Sequence, residues 1–420
     1  MENEGFVVIA AGVVLFALVS GRLKDSVLTP PLVFTGFGLL IGQAVLGIAD
    51  PHVGDSFIHG LAEVTLILVL FSDAARIDLK QVRADHDLPV RMLLVGTPLV
   101  ILGGVAAGLA LPLGLGLWEA ALLAAILAPT DAALGQSVVS SAAVPARIRQ
   151  ALNIESGLND GIVLPVVLFF ASMASAATGG PDGPSWLMFS LTQIGLGLLA
   201  GLAIGRVAGW LMDRAAVHGW MADSFEGAAI LGVALLAYSG AELIGGNGFI
   251  AAFVCGLAFG NWVRGRCRFV FEFAEAEGQL LVLLTFLIFG AAILPEAIGR
   301  ITWTMVLYSA LSLTVVRMVP IALSLVGSGL RPSTVIFLGW FGPRGLASIL
   351  FGLFVLEETG VQGTETITAV TITTVALSIL AHGITAAPAA ARYGASVGAT
   401  DMPGEHKPVS EMPARTGMVL

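Results

Sequence analysis

Apolar runs separated by short polar or Gly/Pro-rich segments fill almost the whole chain. A helix needs about 20 such residues to cross the hydrocarbon core of a bilayer. Hydrophobic residues make up 56% of the 420 residues and charged residues 12%, and the mean hydropathy is +0.92. Soluble domains carry about 25% charged residues. The pattern therefore predicts an all-α polytopic membrane protein embedded in a lipid bilayer.

The apolar runs fit about thirteen transmembrane helices. Their predicted bounds are 5–20, 30–48, 58–75, 90–111, 118–140, 151–177, 185–212, 222–243, 247–262, 271–294, 301–326, 332–356 and 364–390. The basic residues test this number independently, because Lys and Arg concentrate on the cytoplasmic side. With the amino terminus outside, every Lys and Arg except Arg300, Arg317 and Arg344 falls in or beside a cytoplasmic segment.

These runs predict one transmembrane domain over 1–390 and a short cytoplasmic tail over 391–420. The tail is polar and rich in Gly and Pro, and we expect it to be disordered. The first residues, MENEG, carry no basic segment, so the first helix is predicted to be a retained span. The expected location is the cell (inner) membrane, with the amino terminus outside and the carboxyl terminus in the cytoplasm.

Two sequence matches indicate an inverted repeat. GLLIGQ (38–43) corresponds to GLAFGN (256–261), and at the same offset LFSDAA (70–75) corresponds to IFGAAI (288–293). The paired helices run in opposite directions in the predicted topology, as in the inverted-topology repeats of secondary transporters. The expected six-helix repeats span about 5–177 and 222–390, with a linking helix at about 185–212.

Helices 5 and 12 are each interrupted by a proline and polar residues. The segments are APTDAALG (128–135) and FGPRGLAS (341–348). A proline removes a backbone donor and frees a carbonyl, so these backbones need new partners within the membrane. One interruption carries Asp131 and the other Arg344. We therefore expect crossed discontinuous helices near the middle of the bilayer, where such folds bind their substrate.

The densest polar group within the membrane is IESGLNDG (154–161) in helix 6. Ser156 and Asp160 share one face at i, i+4, and Glu155 and Asn159 share a neighbouring face. With Thr130 from helix 5, this arrangement offers several oxygens and one negative charge to a hard monovalent cation. A cation and a proton would compete for the Asp160 carboxylate, and such competition is a mechanism of exchange.

The dipeptides TD (130–131) and ND (159–160), together with Arg344, resemble sodium/proton antiporters of the NhaP and NHE type. These belong to the monovalent cation:proton antiporter superfamily. The resemblance implies that Asp160 carries Na⁺ or Li⁺ and the proton, that Thr130 and Ser156 are further Na⁺ ligands, and that the protein is a homodimer. It implies no cofactor.

The resemblance also implies supporting roles for neighbouring polar residues. Asp131 is expected to take part in ion and proton binding and to compensate a half-helix dipole where helices 5 and 12 cross. The expected supporting residues are Glu155, Asn159, Arg344, Asp73 and Arg317. We expect Arg344 to pair with Glu155 and Arg317 to be the counter-charge of Asp73. The histidines, including His382, are expected to be solvated at loops or helix ends.

Three other functions remain open on the sequence. A potassium/proton exchanger or a passive cation channel would use the same oxygens. An intramembrane aspartyl protease also uses membrane carboxylates, but it needs two aspartates sharing a proton, and residue 159 is Asn. The sequence has no Walker-type phosphate loop, so ATP-driven pumping is not expected. No nucleic-acid partner is expected. Because Asn159 cannot titrate, we expect electroneutral one-for-one exchange.

Overall fold

The computed structural model is built from helices, with no strand among the residues that it describes. Those residues are 2–23, 26–48, 55–84, 86–131, 133–177, 183–222, 225–263, 268–359, 361–398, 403–407 and 409. Eight helices among them are long and apolar enough to cross a membrane, and three further apolar helices are shorter. The chain is a multi-pass membrane protein, as its composition predicts.

Thirteen helical segments of the described chain follow the thirteen predicted crossings. They are α1 Glu2–Leu23, α2 Pro30–Ile41, α3 Asp55–Arg76, α4 Asp87–Ala110, α5a Leu117–Ile126 with α5b Gln136–Val139, α6 Ala146–Ala177, α7 Gly183–Val217, α8 Glu226–Leu243, α9 Gly248–Val263, α10 268–298, α11 Trp303–Ser324, α12a Pro332–Trp340 with α12b Leu346–Thr359, and α13 Thr364–Gly398. The two interrupted helices are α5 and α12. Both interruptions lie within the predicted segments.

The helices pack in two groups. One group, here called the bundle, contains α4, α5, α6, α11, α12 and α13. The other, here called the scaffold, contains α1–α3 and α7–α10. Within the bundle, α5a packs between α4 and α6, and α12b packs on α6 and α13. Helix α6 also packs on α3, α7 and α9 of the scaffold. The polar segment of α6 therefore belongs to the helix at which the two groups meet.

Equivalent glycines make equivalent contacts in the two repeats. Gly38 of α2 lies so close to α10 that a Cβ atom there would overlap the carbonyl oxygen of Leu287. Its counterpart in the repeat, Gly256 of α9, lies in the same way against the carbonyl oxygen of Phe71 in α3. A glycine allows two helix backbones to approach closely in lipid. The matched sequences thus mark two matched helix pairs, α2–α10 and α9–α3.

The carboxyl-terminal helix extends past the predicted end of the transmembrane domain. Helix α13 continues to Gly398, because Tyr393 stacks on Phe337 with ring centroids 4.1 Å apart and Gly394 packs against Ala143. Glu405, in a short helix at 403–406, accepts hydrogen bonds from Arg331 N and Thr334 Oγ1 at 3.0 and 2.8 Å. These segments differ from the predicted disordered tail, because specific contacts anchor them. Residues 410–420 lie outside the described residues.

The glycine contacts predict that Gly38→Ala lowers the melting temperature of the purified protein, because a methyl group meets backbone that cannot move aside. Overpacking of this kind costs about 1–3 kcal/mol. Gly36 is a matched control, because it lies in the same helix with open space where its Cβ would be. Gly36→Ala should leave melting unchanged or raise it slightly through helix propensity. Equal melting of the two variants would contradict the close helix contact.

Candidate cation-binding site

The interruptions of α5 and α12 are joined by a backbone hydrogen bond. Asp131 N, between α5a and α5b, donates to Pro343 O, between α12a and α12b, at 2.8 Å. Both groups lie where no helical partner is available, and in hydrocarbon an unsatisfied backbone group costs several kcal/mol. Each interruption thus supplies a backbone partner that the other needs, and the two chain segments meet at this point.

The Asp131 carboxylate is held at the beginning of α12b. Its Oδ2 accepts from Leu346 N and its Oδ1 from Ala133 N, both at 2.7 Å. A carboxylate at a helix amino terminus is stabilised by the helix dipole. Gly345 has no room for a side chain, because a Cβ there would overlap the Asp131 carboxylate. Both Asp131 oxygens are thus bound by backbone amides at the crossing, and its predicted part in ion and proton binding stays a prediction.

The Arg344 guanidinium is held at the other interruption. It is completely buried, and its Nη1 donates to Ala128 O at 3.0 Å and to Pro129 O at 3.3 Å, just beyond the carboxyl end of α5a. A cation is stabilised at the negative end of a helix dipole. Asp131 of the α5 interruption thus binds the start of α12b, and Arg344 of the α12 interruption binds the carbonyls that follow α5a.

The polar residues of α6 converge on Thr130. Ser156 Oγ donates to Thr130 O, and Asn159 Nδ2 donates to Thr130 Oγ1, both at 2.7 Å. Asp160, one helical turn beyond Ser156 on the same face, is buried with 6% of its surface exposed. Asn159 Oδ1 is buried without a hydrogen bond in the described structure. The structure therefore brings Ser156 and Asn159 onto Thr130 and places Asp160 on the same face of α6 as Ser156, and their role as cation ligands stays a prediction.

Glu155 pairs with Arg317, so the predicted pairing with Arg344 is wrong. The two side chains, each 1% exposed, meet through Nη1–Oε1 at 2.6 Å and Nη2–Oε2 at 2.8 Å. The reason is geometric: Arg344 is drawn to the open carbonyls of α5, whereas Arg317 of α11 faces Glu155. Gly342 packs directly on the Arg317 guanidinium, so this ion pair also supports the interruption of α12.

Asp73 lies where the scaffold meets the bundle. It is half-buried on α3, and its carbonyl oxygen lies 3.8 Å from where a Cβ on Gly157 of α6 would be, next to Ser156. Its predicted counter-charge, Arg317, forms the ion pair with Glu155 described above. Asp73 is therefore beside the polar segment of α6, on the scaffold side.

Sequence reasoning missed Ser378 and His382 of α13. Both are completely buried, so the expectation of a solvated His382 is wrong. Ser378 Oγ accepts from Arg344 N at 2.7 Å, and His382 Nε2 lies 3.0 Å from Trp340 O, the carbonyl that ends α12a. Their i, i+4 spacing, which puts both side chains on one face of the helix, was the available signal. Glu242 at the end of α8 caps α9, because its Oε1 accepts from Gly248 N at 2.7 Å.

Comparison with known proteins connects this site to a family. The profile described as "Sodium/hydrogen exchanger, transmembrane" matches residues 7–392. The K(+)/H(+) antiporter NhaP of Alkalimonas amylolytica is 26% identical over 365 residues, which is 84% of this chain and 61% of the relative. NhaP2 of Shewanella sp. (strain MR-4) is 26% identical over 393 residues, 91% of this chain and 65% of the relative. The chain thus spans less than two thirds of the length of these relatives.

A yeast protein and a solved structure extend the comparison. Na(+)/H(+) antiporter 2 of Zygosaccharomyces rouxii is 27% identical over 363 residues, 80% of this chain and 44% of the relative. The structure of the sodium proton antiporter MjNhaP1 from Methanocaldococcus jannaschii at pH 8 has a TM-score of 0.77 and 20% identity. It covers 94% of this chain and 99% of its own. The thirteen-helix fold with crossed interrupted helices is therefore the fold of that structure.

The buried ion pair predicts that Glu155 and Arg317 are energetically coupled, which a double-mutant cycle can measure. Glu155→Leu or Arg317→Met alone should lower the melting temperature strongly, because each strands the other charge at a cost of about 3–5 kcal/mol. The double variant should melt above either single variant, since no unpaired charge remains. Thermal unfolding of the four detergent-purified proteins measures the coupling. Additive losses would show that the two side chains are energetically independent.

Proposed function

Because the chain belongs to the sodium/hydrogen exchanger family, whose members are secondary transporters rather than enzymes, we propose that it exchanges Na⁺ or Li⁺ for H⁺ across the membrane. The observation that carries this proposal is the buried Asp160 carboxylate on the face of α6 whose Ser156 is bonded to Thr130. Carboxylate, hydroxyl and carbonyl oxygens are the ligands that hard cations prefer. Thr130, Ser156 and Asp160 are accordingly the Na⁺ ligands.

Exchange follows from competition for Asp160. A bound cation and a bound proton each neutralise the carboxylate, and each excludes the other. Alternating access requires that the loaded site be presented to one side of the membrane at a time. Helix α6 packs on both groups of helices. Movement of the bundle against the scaffold would therefore change the exposure of the site without disturbing the crossing of α5 and α12.

We propose further that the transporter is a homodimer in the cell (inner) membrane, with the amino terminus outside and the carboxyl terminus in the cytoplasm. The positive-inside distribution of Lys and Arg supports the orientation. The buried ion pair beside the site belongs to the bundle, and we assign the dimer contact to the scaffold.

Potassium is the second candidate cation. Two of the relatives above are K(+)/H(+) antiporters by name, and both align over more than four fifths of this chain. A potassium exchanger would use the same carboxylate with a larger arrangement of oxygens. Proton flux in proteoliposomes on addition of Na⁺, Li⁺ or K⁺ in turn distinguishes the two readings. The protease alternative loses its basis, because both Asp131 oxygens accept backbone hydrogen bonds at the crossing.

The first functional prediction is that Asp160→Asn abolishes exchange, because it preserves size but removes the group for which the ions compete. Cation-dependent proton flux should fall to that of protein-free liposomes. Glu242→Gln is a suitable control, since it alters a carboxylate that caps α9 away from the site. This variant should transport at nearly the wild-type rate. Flux in Asp160→Asn within twofold of wild type would reject the mechanism.

The second functional prediction concerns net charge. Asn159 donates its amide to Thr130 and cannot titrate, so one carboxylate exchanges one proton for one monovalent cation. We expect Na⁺/H⁺ exchange to be insensitive to membrane potential. The potential is imposed with a potassium ionophore, or with a permeant lipophilic anion if K⁺ is itself transported. An exchange rate or end point that shifts with the potential would reveal a second moving charge, and Asp131→Asn would be the first variant to compare.

A further inference from the structure

A chain of hydrogen bonds from α13 closes the interruption of α12. Arg344 N donates to Ser378 Oγ at 2.7 Å, Ser378 Oγ lies 3.1 Å from His382 Nδ1, and His382 Nε2 lies 3.0 Å from Trp340 O. Trp340 ends α12a, and Arg344 is two residues before α12b. The Ser378 and His382 side chains thus connect the two sides of the gap. Both are completely buried, so water does not supply these bonds.

The direction of one bond in this chain is fixed. A carbonyl oxygen only accepts, so the hydrogen between His382 Nε2 and Trp340 O belongs to the histidine. Two arrangements of Nδ1 are then compatible with the geometry. In the neutral ring Nδ1 accepts from Ser378 Oγ, and in the charged ring it donates to Ser378 O, which lies 3.0 Å away. In both, His382 holds the end of α12a through its Nε2–H group.

Arg344 links the hydrogen bonds of Ser378 and His382 to the proposed ion site. With its backbone held by Ser378, Arg344 directs its guanidinium onto Ala128 O and Pro129 O. The next residue of that segment is Thr130, whose carbonyl and hydroxyl are bonded by Ser156 and Asn159. A shift of the α12 interruption would therefore be transmitted over a short path to the residues that we assign to the cation.

We propose that His382 and Ser378 are positioning residues for cation binding: together they fix the backbone of the α12 interruption and so the position of Thr130. Neither side chain is required to touch the ion. The inference rests on the proposed exchange function, because its measure is the affinity of that exchange. Residues that orient ligands from behind typically change metal affinity about 10- to 100-fold when they are removed.

The test compares four variants by cation-dependent proton flux over a range of Na⁺ concentrations, with melting temperatures of each. His382→Phe keeps a ring but cannot donate to Trp340 O, whereas His382→Gln places an amide nitrogen at a position equivalent to Nε2. Ser378→Ala removes the acceptor for Arg344 N. Thr385→Val is the matched control, because Thr385 Oγ1 accepts from the indole nitrogen of Trp340 and does not bond the interrupted backbone.

We expect His382→Phe and Ser378→Ala to raise the apparent KM for Na⁺ about tenfold or more. The maximal rate at saturating Na⁺ should stay within about twofold of wild type, because Asp160 is intact. His382→Gln should restore a KM close to that of wild type. Thr385→Val should at most lower the melting temperature, and its KM for Na⁺ should be unchanged.

Each of the other possible results overturns the proposal or a named part of it. If His382→Phe does not fold, an unchanged KM in Ser378→Ala rejects the proposal on its own. Lower melting temperatures with an unchanged KM would make both residues merely structural. A KM in His382→Gln as high as in His382→Phe would exclude the Nε2 donor as the cause. Absence of cation-dependent flux in the wild-type protein would instead reject the exchange function itself.

Discussion

The backbone hydrogen bond from Asp131 N to Pro343 O is the contact on which the arrangement of the site depends. Helices interrupted inside a membrane expose donors and acceptors that lipid cannot satisfy. Here the two interruptions satisfy each other, and each contributes the charge that suits the other helix end. Asp131 lies at the amino end of α12b, and Arg344 lies at the carbonyls that follow α5a. The backbone can therefore leave the helical conformation at this point without leaving the joined amide and carbonyl groups unbonded.

The buried charges around the crossing are held by partners within the protein. Asp131 is held by two amides, Arg344 by carbonyls, and Glu155 and Arg317 by each other. These groups have fixed, buried partners within the protein. Asp160, which we propose to carry the transported ion, lies on the face of α6 that carries the hydroxyl bonded to Thr130. In that proposal the charge state of Asp160 changes during each cycle, while the paired charges of the crossing stay constant.

Much of the fold could be predicted from the sequence because hydropathy and the positive-inside rule report on independent properties. The interruptions, the polar face of α6 and the repeat glycines were all local patterns. The partner of Glu155 was not, since i, i+4 spacing defines a helix face but does not identify the helix opposite. Arg317 is 162 residues away from Glu155. His382 was misjudged for the same reason: its location in a buried gap depends on where α12 ends.

The polarity of the bonds to Thr130 explains why hydroxyl and amide groups suit this site. Ser156 donates its single hydrogen to Thr130 O, so only lone pairs remain on its oxygen for other neighbours. Asn159 supplies its amide hydrogen to Thr130 Oγ1, a bond that an ionised carboxylate at residue 159 could not donate. In the exchange that we propose, acceptor lone pairs left by these bonds face the cation. With Asp160 as the one carboxylate among the proposed ligands, the site would have the same net charge whether it held a proton or a monovalent cation.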